Sequence, residues 1–352
     1  MADRYWVGGT GAWTTSSTTV WSASSGGASG ASVPTAVDNV IFDSATTYTV
    51  TLTGALTCLS FTVSAGTVTF TSTGTPTVSG SMSLSTGTIW NATGTITFAA
   101  VATGNTIRTN NTTLAASITF NGVGGGWQLL DNLTFASTKG ITLTAGAFDA
   151  NNNNIFMNFF GSAGAVTRTL TMGSGTWTVS AATTTAWNIP GSATNITVNA
   201  GTSTISMTGA TAKSFLGSSK TYYKLNQGGA GALTISGANT FADITSSAAP
   251  STILFPAGST TTVYGFSVSG TAGNLVTLNS TTPGTRATLS YAAGTIDRDY
   301  LNIKDISATG GALWYAGANS VDSGNNLGWV FTAAPALVTD VRLRSFTERG
   351  RD

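Results

Sequence analysis

Four aspartates gather toward the C-terminal end of the sequence: Asp297, Asp299, Asp305 and Asp322. Glycan cleavage needs two positioned carboxylates, and β-helical glycan lyases and hydrolases place them on exposed turns. Asp297 and Asp299 are two residues apart, which on a strand sets them on one face about 7 Å from each other. The competing role is structural. Asp is a good turn and cap residue, and Arg298 and Lys304 stand beside these acids as opposite charges. The single glutamate, Glu348, lies in a basic stretch beside Arg349, a poor setting for a general acid. The chain has no histidine, which removes the usual general base, the catalytic triad and most zinc and iron sites. Its one cysteine, Cys58, excludes an internal disulfide or a cysteine metal cluster. Cys58 takes an inward position in Leu56-Thr-Cys-Leu-Ser-Phe61 and reads as a small buried hydrophobe. Gly122-Val-Gly-Gly-Gly126 lacks the Lys-Ser/Thr of a phosphate loop, and no EF-hand or repeated Asp-Gly motif supports calcium at the aspartates. The expectation is a chain with no catalytic site, no cofactor and no metal.

Two further groups have side chains suited to partner contact rather than catalysis. Trp6, Trp13 and Trp21 crowd the N-terminal segment, and Arg342, Arg344, Phe346, Arg349 and Arg351 the C-terminal one. Large aromatics cover much area and suit the end of a stacked fold; the rival role is a carbohydrate platform of exposed rings. A basic tail on a neutral chain is either a loose end or an arm that adds to a neighbour's sheet.

The elements that must hold these groups follow from one repeated phrase: apolar, Thr or Ser, apolar, then Gly or Ala. It occurs at Tyr48-Thr-Val-Thr-Leu-Thr-Gly54, Leu59-Ser-Phe-Thr-Val-Ser-Ala-Gly66, Gly94-Thr-Ile-Thr-Phe98, Gly140-Ile-Thr-Leu-Thr-Ala-Gly146 and Gly265-Phe-Ser-Val-Ser-Gly270, among others. Period-two alternation closed by turn residues is a strand signal. Alternating strands begin near residues 48, 59, 67, 95, 117, 140, 168, 176, 195, 203, 232, 252, 263, 275, 286 and 300. Their mixed spacing suits a coil with two or three strands per turn, whereas a sandwich would show a steadier series of hairpins. The one Asn-Gly, at Asn121-Gly122, organises no such series. The fold class expected is all-β, a parallel and right-handed β-helix solenoid of about 20–25 residues per turn. The inward set includes Phe61, Val63, Phe70, Ile96, Phe98, Phe120, Leu143, Val198 and Phe266, with the intervening Thr and Ser outward. Asn151-Asn-Asn-Asn154 reads either as a ladder inside the coil or as a solvated turn.

Composition narrows the rest. Charged residues are 8% of the chain, against about 25% in ordinary domains, so Thr, Ser and Asn must carry its contact with water. The net charge of +1 offers no bulk attraction for nucleic acid or an acidic membrane. Apolar residues are dispersed, with no run approaching the ~18 of a membrane helix, and the strands are too short for a membrane barrel. The N-terminus has no basic start followed by an apolar stretch, so no secretory signal is expected. Three zones result: an aromatic N-terminal cap or anchor region (1–45), the β-helix body (46–330) and a C-terminal arm or tail (331–352). Residues 297–352 hold 13 of the chain's 27 charged residues, so any polar anchor is at that end.

The two ends also resemble a known group. Arg4-Tyr-Trp-Val-Gly-Gly-Thr-Gly-Ala-Trp13, Trp21-Ser-Ala-Ser-Ser-Gly-Gly27 and Val33-Pro-Thr-Ala-Val-Asp-Asn-Val-Ile-Phe-Asp43 are similar to the opening of a group of tailed-bacteriophage virion proteins. Tyr300-Leu-Asn-Ile-Lys-Asp-Ile-Ser-Ala-Thr-Gly-Gly-Ala-Leu-Trp-Tyr-Ala-Gly317 with Asn326-Leu-Gly-Trp329 resembles their closing β-helical turn. The middle matches in style only. The resemblance implies a right-handed β-helix on the head or tail of a phage particle, often trimeric, and transfers no catalytic residue. Depolymerases of this style carry acidic groove residues, whereas between Asp43 and Asp297 this chain has only Asp131, Asp149 and Asp243. The expected function is therefore a non-enzymatic virion structural protein, first a capsid-decorating or cement protein. The alternatives are a tail spike, fibre or baseplate component binding host glycan, and a bacterial β-helical adhesin. Its expected partners are other virion proteins and its own copies, as a homotrimer, with host glycan possible and no nucleic acid or membrane.

Overall fold

In a computed structural model, which describes residues 1–181 and 185–336, the chain is all strand and turn, with no helix among those residues. Parallel coils stack into a β-solenoid of about 13 turns. Each early turn contributes strands to three faces. Asn39–Phe42, Ser60–Val63 and Asn105–Arg108 belong to the first face; Thr47–Leu52 and Thr67–Thr71 to the second; Ala55–Cys58, Thr75–Val78 and Ile96–Phe98 to the third. Pairing is parallel throughout the stack, as between Tyr48 and Val68 or Phe98 and Phe120. The antiparallel exceptions are the Trp6–Trp21 pairing at the N-terminal end and one bridge, Thr271 to Asn274. Register partners lie 19 residues apart at Leu225 and Ile244 but 28 apart at Leu170 and Val198.

Alternation decides which side chains fill the coil. Phe61, Val68, Phe70, Ile96, Phe98, Ile118, Phe120, Ile141, Leu143 and Val268 are all fully buried, and Phe266 nearly so. Val198 is only half-buried. Its strand, Ile196–Asn199, is the last on the first face, so no further strand covers it on that side. The outward threonines are half-buried rather than open, because Thr77, Thr97, Thr119 and Thr142 stand in register and cover one another. Aromatic rings stack along the interior, for example Phe98–Phe120 at 5.4 Å and Phe120–Phe148 at 4.6 Å, within the range in which such pairs add to area burial.

Corners are set by residues that tolerate the left-handed region. Gly146 (φ 78°) is one, because a Cβ there would strike the carbonyl oxygens of Gly122 and Gly125 on the preceding turn. Asn151 (φ 48°) and Asn152 (φ 64°) are others. The asparagine tract is thus an exposed turn, and its laddering runs along the outside. Asn132 Oδ1 accepts from the Asn154 N–H and Asn154 Oδ1 from the Thr176 N–H, both at 2.8 Å.

The segment 1–45 belongs to the same ladder. Asp3–Trp6 pairs in parallel with Asn39–Phe42, and Gly11–Trp13 with Thr47–Leu52. After Ile196–Asn199 the first face ends, and turns of two principal strands follow. In the last three turns a small sheet appears instead between the second and third faces: Thr295–Asp297, Leu313–Tyr315 and Trp329–Val330.

Candidate functional site

The aspartates of the C-terminal turns are tied to backbone. Asp305 is buried and accepts from the Gly284 N–H (3.0 Å) and the Asn325 side-chain amide (2.6 Å). The Asn325 amide, followed by that N–H, holds its carboxyl below the usual range. Burial pushes the Asp299 carboxyl upward. The side-chain amide of Asn319, with the N–H groups of Tyr300 and Asn319, outweighs burial and leaves it lowered. Asp322 accepts from the Gly324 N–H and the Asn326 amide. Asp297 alone of the four has a carboxylate free of partners among the described residues. A free carboxylate pair is therefore not assembled here. Asp131 and Asp149 serve in the same way, receiving N–H donors from Thr109, Asn110 and Asn151. No group of three or more metal-ligating side chains gathers among the described residues. The Cys58 thiol is fully buried, which pushes it well above the usual range and leaves it unreactive.

Two cations are buried, which the sequence reading did not single out. The Arg168 guanidinium donates to the carbonyl oxygens of Val166 (2.9 Å), Gly164 (2.6 Å) and Thr194 (2.5 Å) and to Ser162 Oγ (3.3 Å). The Lys213 ammonium donates to the carbonyls of Gly209 (2.8 Å), Gly231 (2.9 Å) and Gly229 (3.4 Å). Both occur where the coil is irregular: at the 28-residue turn, and just after the first face ends. The loops there present carbonyls with no strand to bond them, and an enclosed carbonyl must find a donor. Arg168 and Lys213 supply those donors. Their chemistry is turned inward and offers nothing to a ligand.

Trp6, Trp13 and Trp21 are 2%, 1% and 0% exposed. Trp6 and Trp13 each meet Trp21 edge-on at 5.2 Å, and all three rings face Phe42. They plug the N-terminal end of the coil and present no ring face for stacking on a sugar. Arg342, Arg344, Phe346, Arg349 and Arg351 lie outside the described residues.

The opposite end is chemically different. Among the described residues, strands Val321–Asp322 and Trp329–Val330 each pair on one side only. Around these edges Leu313, Val321, Leu327 and Val330 are 57%, 47%, 56% and 41% exposed. A cleft of about 460 Å³ opens between Thr295, Asp297, Leu313 and Tyr315 on the final sheet and Ala334, Pro335 and Ala336 of the departing chain. One end of the rod is closed by indole rings and the other is an apolar, open-edged surface. Comparison with family profiles, curated proteins and solved structures finds no match to this chain.

Proposed function

We propose that this chain is a non-enzymatic structural protein of a tailed-phage particle, a β-solenoid decorating the capsid surface and fixed there by its C-terminal end. The observation that carries the attachment is the asymmetry of the two ends. Unpaired strand edges lined by exposed Leu and Val bind other chains unless something covers them. At the other end Gly11–Trp13 and Trp21–Ser22 also pair on one side only, but their Trp13 and Trp21 rings are buried rather than exposed. The phage setting rests on the resemblance of the terminal motifs, and with it the homotrimer, in which three copies would multiply a modest contact. The inward use of Asp299, Asp305, Arg168 and Lys213 supports a display rod over an enzyme.

The test is reconstitution on particles that lack the protein. Full-length chain should co-sediment with them and appear as rods in cryo-EM density. A chain ending at Val338 should fold with the same circular dichroism but bind at least about tenfold more weakly, and more weakly again in high salt. Equal decoration by the truncated chain would remove the tail from the attachment. No decoration by the full-length chain would remove the capsid reading altogether.

A further inference from the structure

Three aromatic side chains are more than a third exposed among the described residues: Phe156, Tyr223 and Tyr264. The two tyrosines share one outer column. Tyr222 pairs with Phe241 and Lys224 with Asp243, so Tyr223 stands opposite Ala242. Phe241 pairs with Val263 and Ile244 with Phe266, which sets Ala242 opposite Tyr264. The column therefore runs Tyr223, Ala242, Tyr264, with the two phenols two rungs apart, about 10 Å, over a methyl floor.

The adjacent column is Lys224, Asp243 and Gly265. Asp243 Oδ1 is anchored by the Ser267 N–H (3.1 Å), while Oδ2 and the Lys224 ammonium have no partner among the described residues. A side chain at Gly265 would crowd the Asp243 carboxylate and the Ala242 carbonyl, so that floor stays open. Two amphipathic rings, one free anionic acceptor and one free cationic donor thus share a shallow corner.

We infer that this corner binds a linear neutral oligosaccharide, with pyranose faces against Tyr223 and Tyr264 and hydroxyls bonded by Asp243 and Lys224. Sugars present an apolar C–H face and a rim of hydroxyls that both donate and accept, so they match an aromatic surface flanked by both charge signs. A wholly apolar protein partner would desolvate the Lys224 and Asp243 charges and leave their remaining hydrogen-bonding capacity unmet. A two-rung separation lets the two rings take alternate sugars of one chain. The site goes beyond attachment to a particle and does not depend on it, because it is read on the free protein.

The experiment is calorimetric titration of the free full-length protein with three hexasaccharides: β1,4-linked glucose, β1,4-linked N-acetylglucosamine and α1,4-linked glucose. At least one should bind with a Kd of about 1 mM or tighter. Tyr223→Ala with Tyr264→Ala should weaken it by about tenfold or more, with unchanged circular dichroism because both rings are exposed. Phe156→Ala should leave it unchanged. Absence of binding by all three sugars, or equal binding by the double variant, overturns the inference. So does a concentration-dependent self-association, seen in sedimentation, that the double variant abolishes, since the corner would then be a contact between copies.

Discussion

Lys213 has no acidic partner among the described residues, and burial pushes its ammonium down to about 8 from an unfolded value of 10.5. Between those values the unfolded chain holds a proton that the folded chain has released, so this group makes stability rise with pH across that window. Cys58 and Tyr222 oppose it, since burial raises both and the unfolded chain ionises them first above about pH 9. Comparison with Lys213→Met isolates the lysine. As pH is raised from about 7.5 to about 10, the urea midpoint of the wild-type chain should gain on that of the variant, and a constant gap would mean the ammonium is not desolvated. Packing gives a second test. Phe98→Ala should cost about 3–5 kcal/mol by cavity formation. Thr97→Ala, on the half-buried outer column, should cost about 1 kcal/mol or less in the same denaturation measurement. Equal losses would contradict the register. The buried cations were partly legible. Arg168 is in phase with inward Leu170 and Met172, and Lys213 with Phe215, so parity alone places both inside. What parity lacks is the reason, which is carbonyls left over by distant loops. Tyr223 had a comparable signal: in the doublet Tyr222-Tyr223 one ring must face out.

At the scale of elements, a turn is the natural unit of addition or loss, because each rung bonds only its neighbours. Phe120 and Leu143 are register partners, as are Ile107 and Leu129 and then Trp127 and Phe148. Deleting residues 120–142 therefore removes one rung and joins Thr119 to the residue that Phe120 faced. That variant should remain soluble and unfold cooperatively by circular dichroism. Deleting only residues 120–130, half a rung, removes the segment that pairs with Asn105–Arg108 on one side and with Ala147–Asp149 on the other, leaves both edges without a partner, and should yield insoluble chain. Strands with two or more full alternations were plain in the sequence, as at Thr47–Leu52, Thr67–Thr71 and Arg168–Thr171. Met82–Ser83, Ile89–Trp90, Thr113–Leu114 and Phe160–Gly161 were not. Two residues cannot display a period of two, and these pieces are strands only because the rungs on either side bond them. The ladder of residues 1–45 was hidden for a related reason. Its partners are up to 39 residues away, as Gly11 is from Val50, with a Gly- and Ser-rich loop between.

At the scale of the molecule the rod is sparse in charge and uneven in construction. Its N-terminal end buries Trp6, Trp13 and Trp21, whereas its C-terminal end leaves Leu313, Val321, Leu327 and Val330 exposed. The tail that follows that end was legible as chemistry, four arginines on a neutral chain, but nothing local in the sequence says what it covers. The end of the first face at Ile196–Asn199 has a consequence for motion. In a one-dimensional stack, cooperativity passes through nearest-neighbour contacts, and at this place one of the three contact surfaces stops while enclosed Lys213 and Gln227 replace apolar packing. The rungs on either side are therefore coupled less strongly to each other than to their own neighbours. Under native conditions the amides of residues 1–199 and of residues 221–330 should exchange with solvent deuterium as two separate opening units. The rod would then yield at a fixed joint near its middle, so that a shock to one half need not unfold the other.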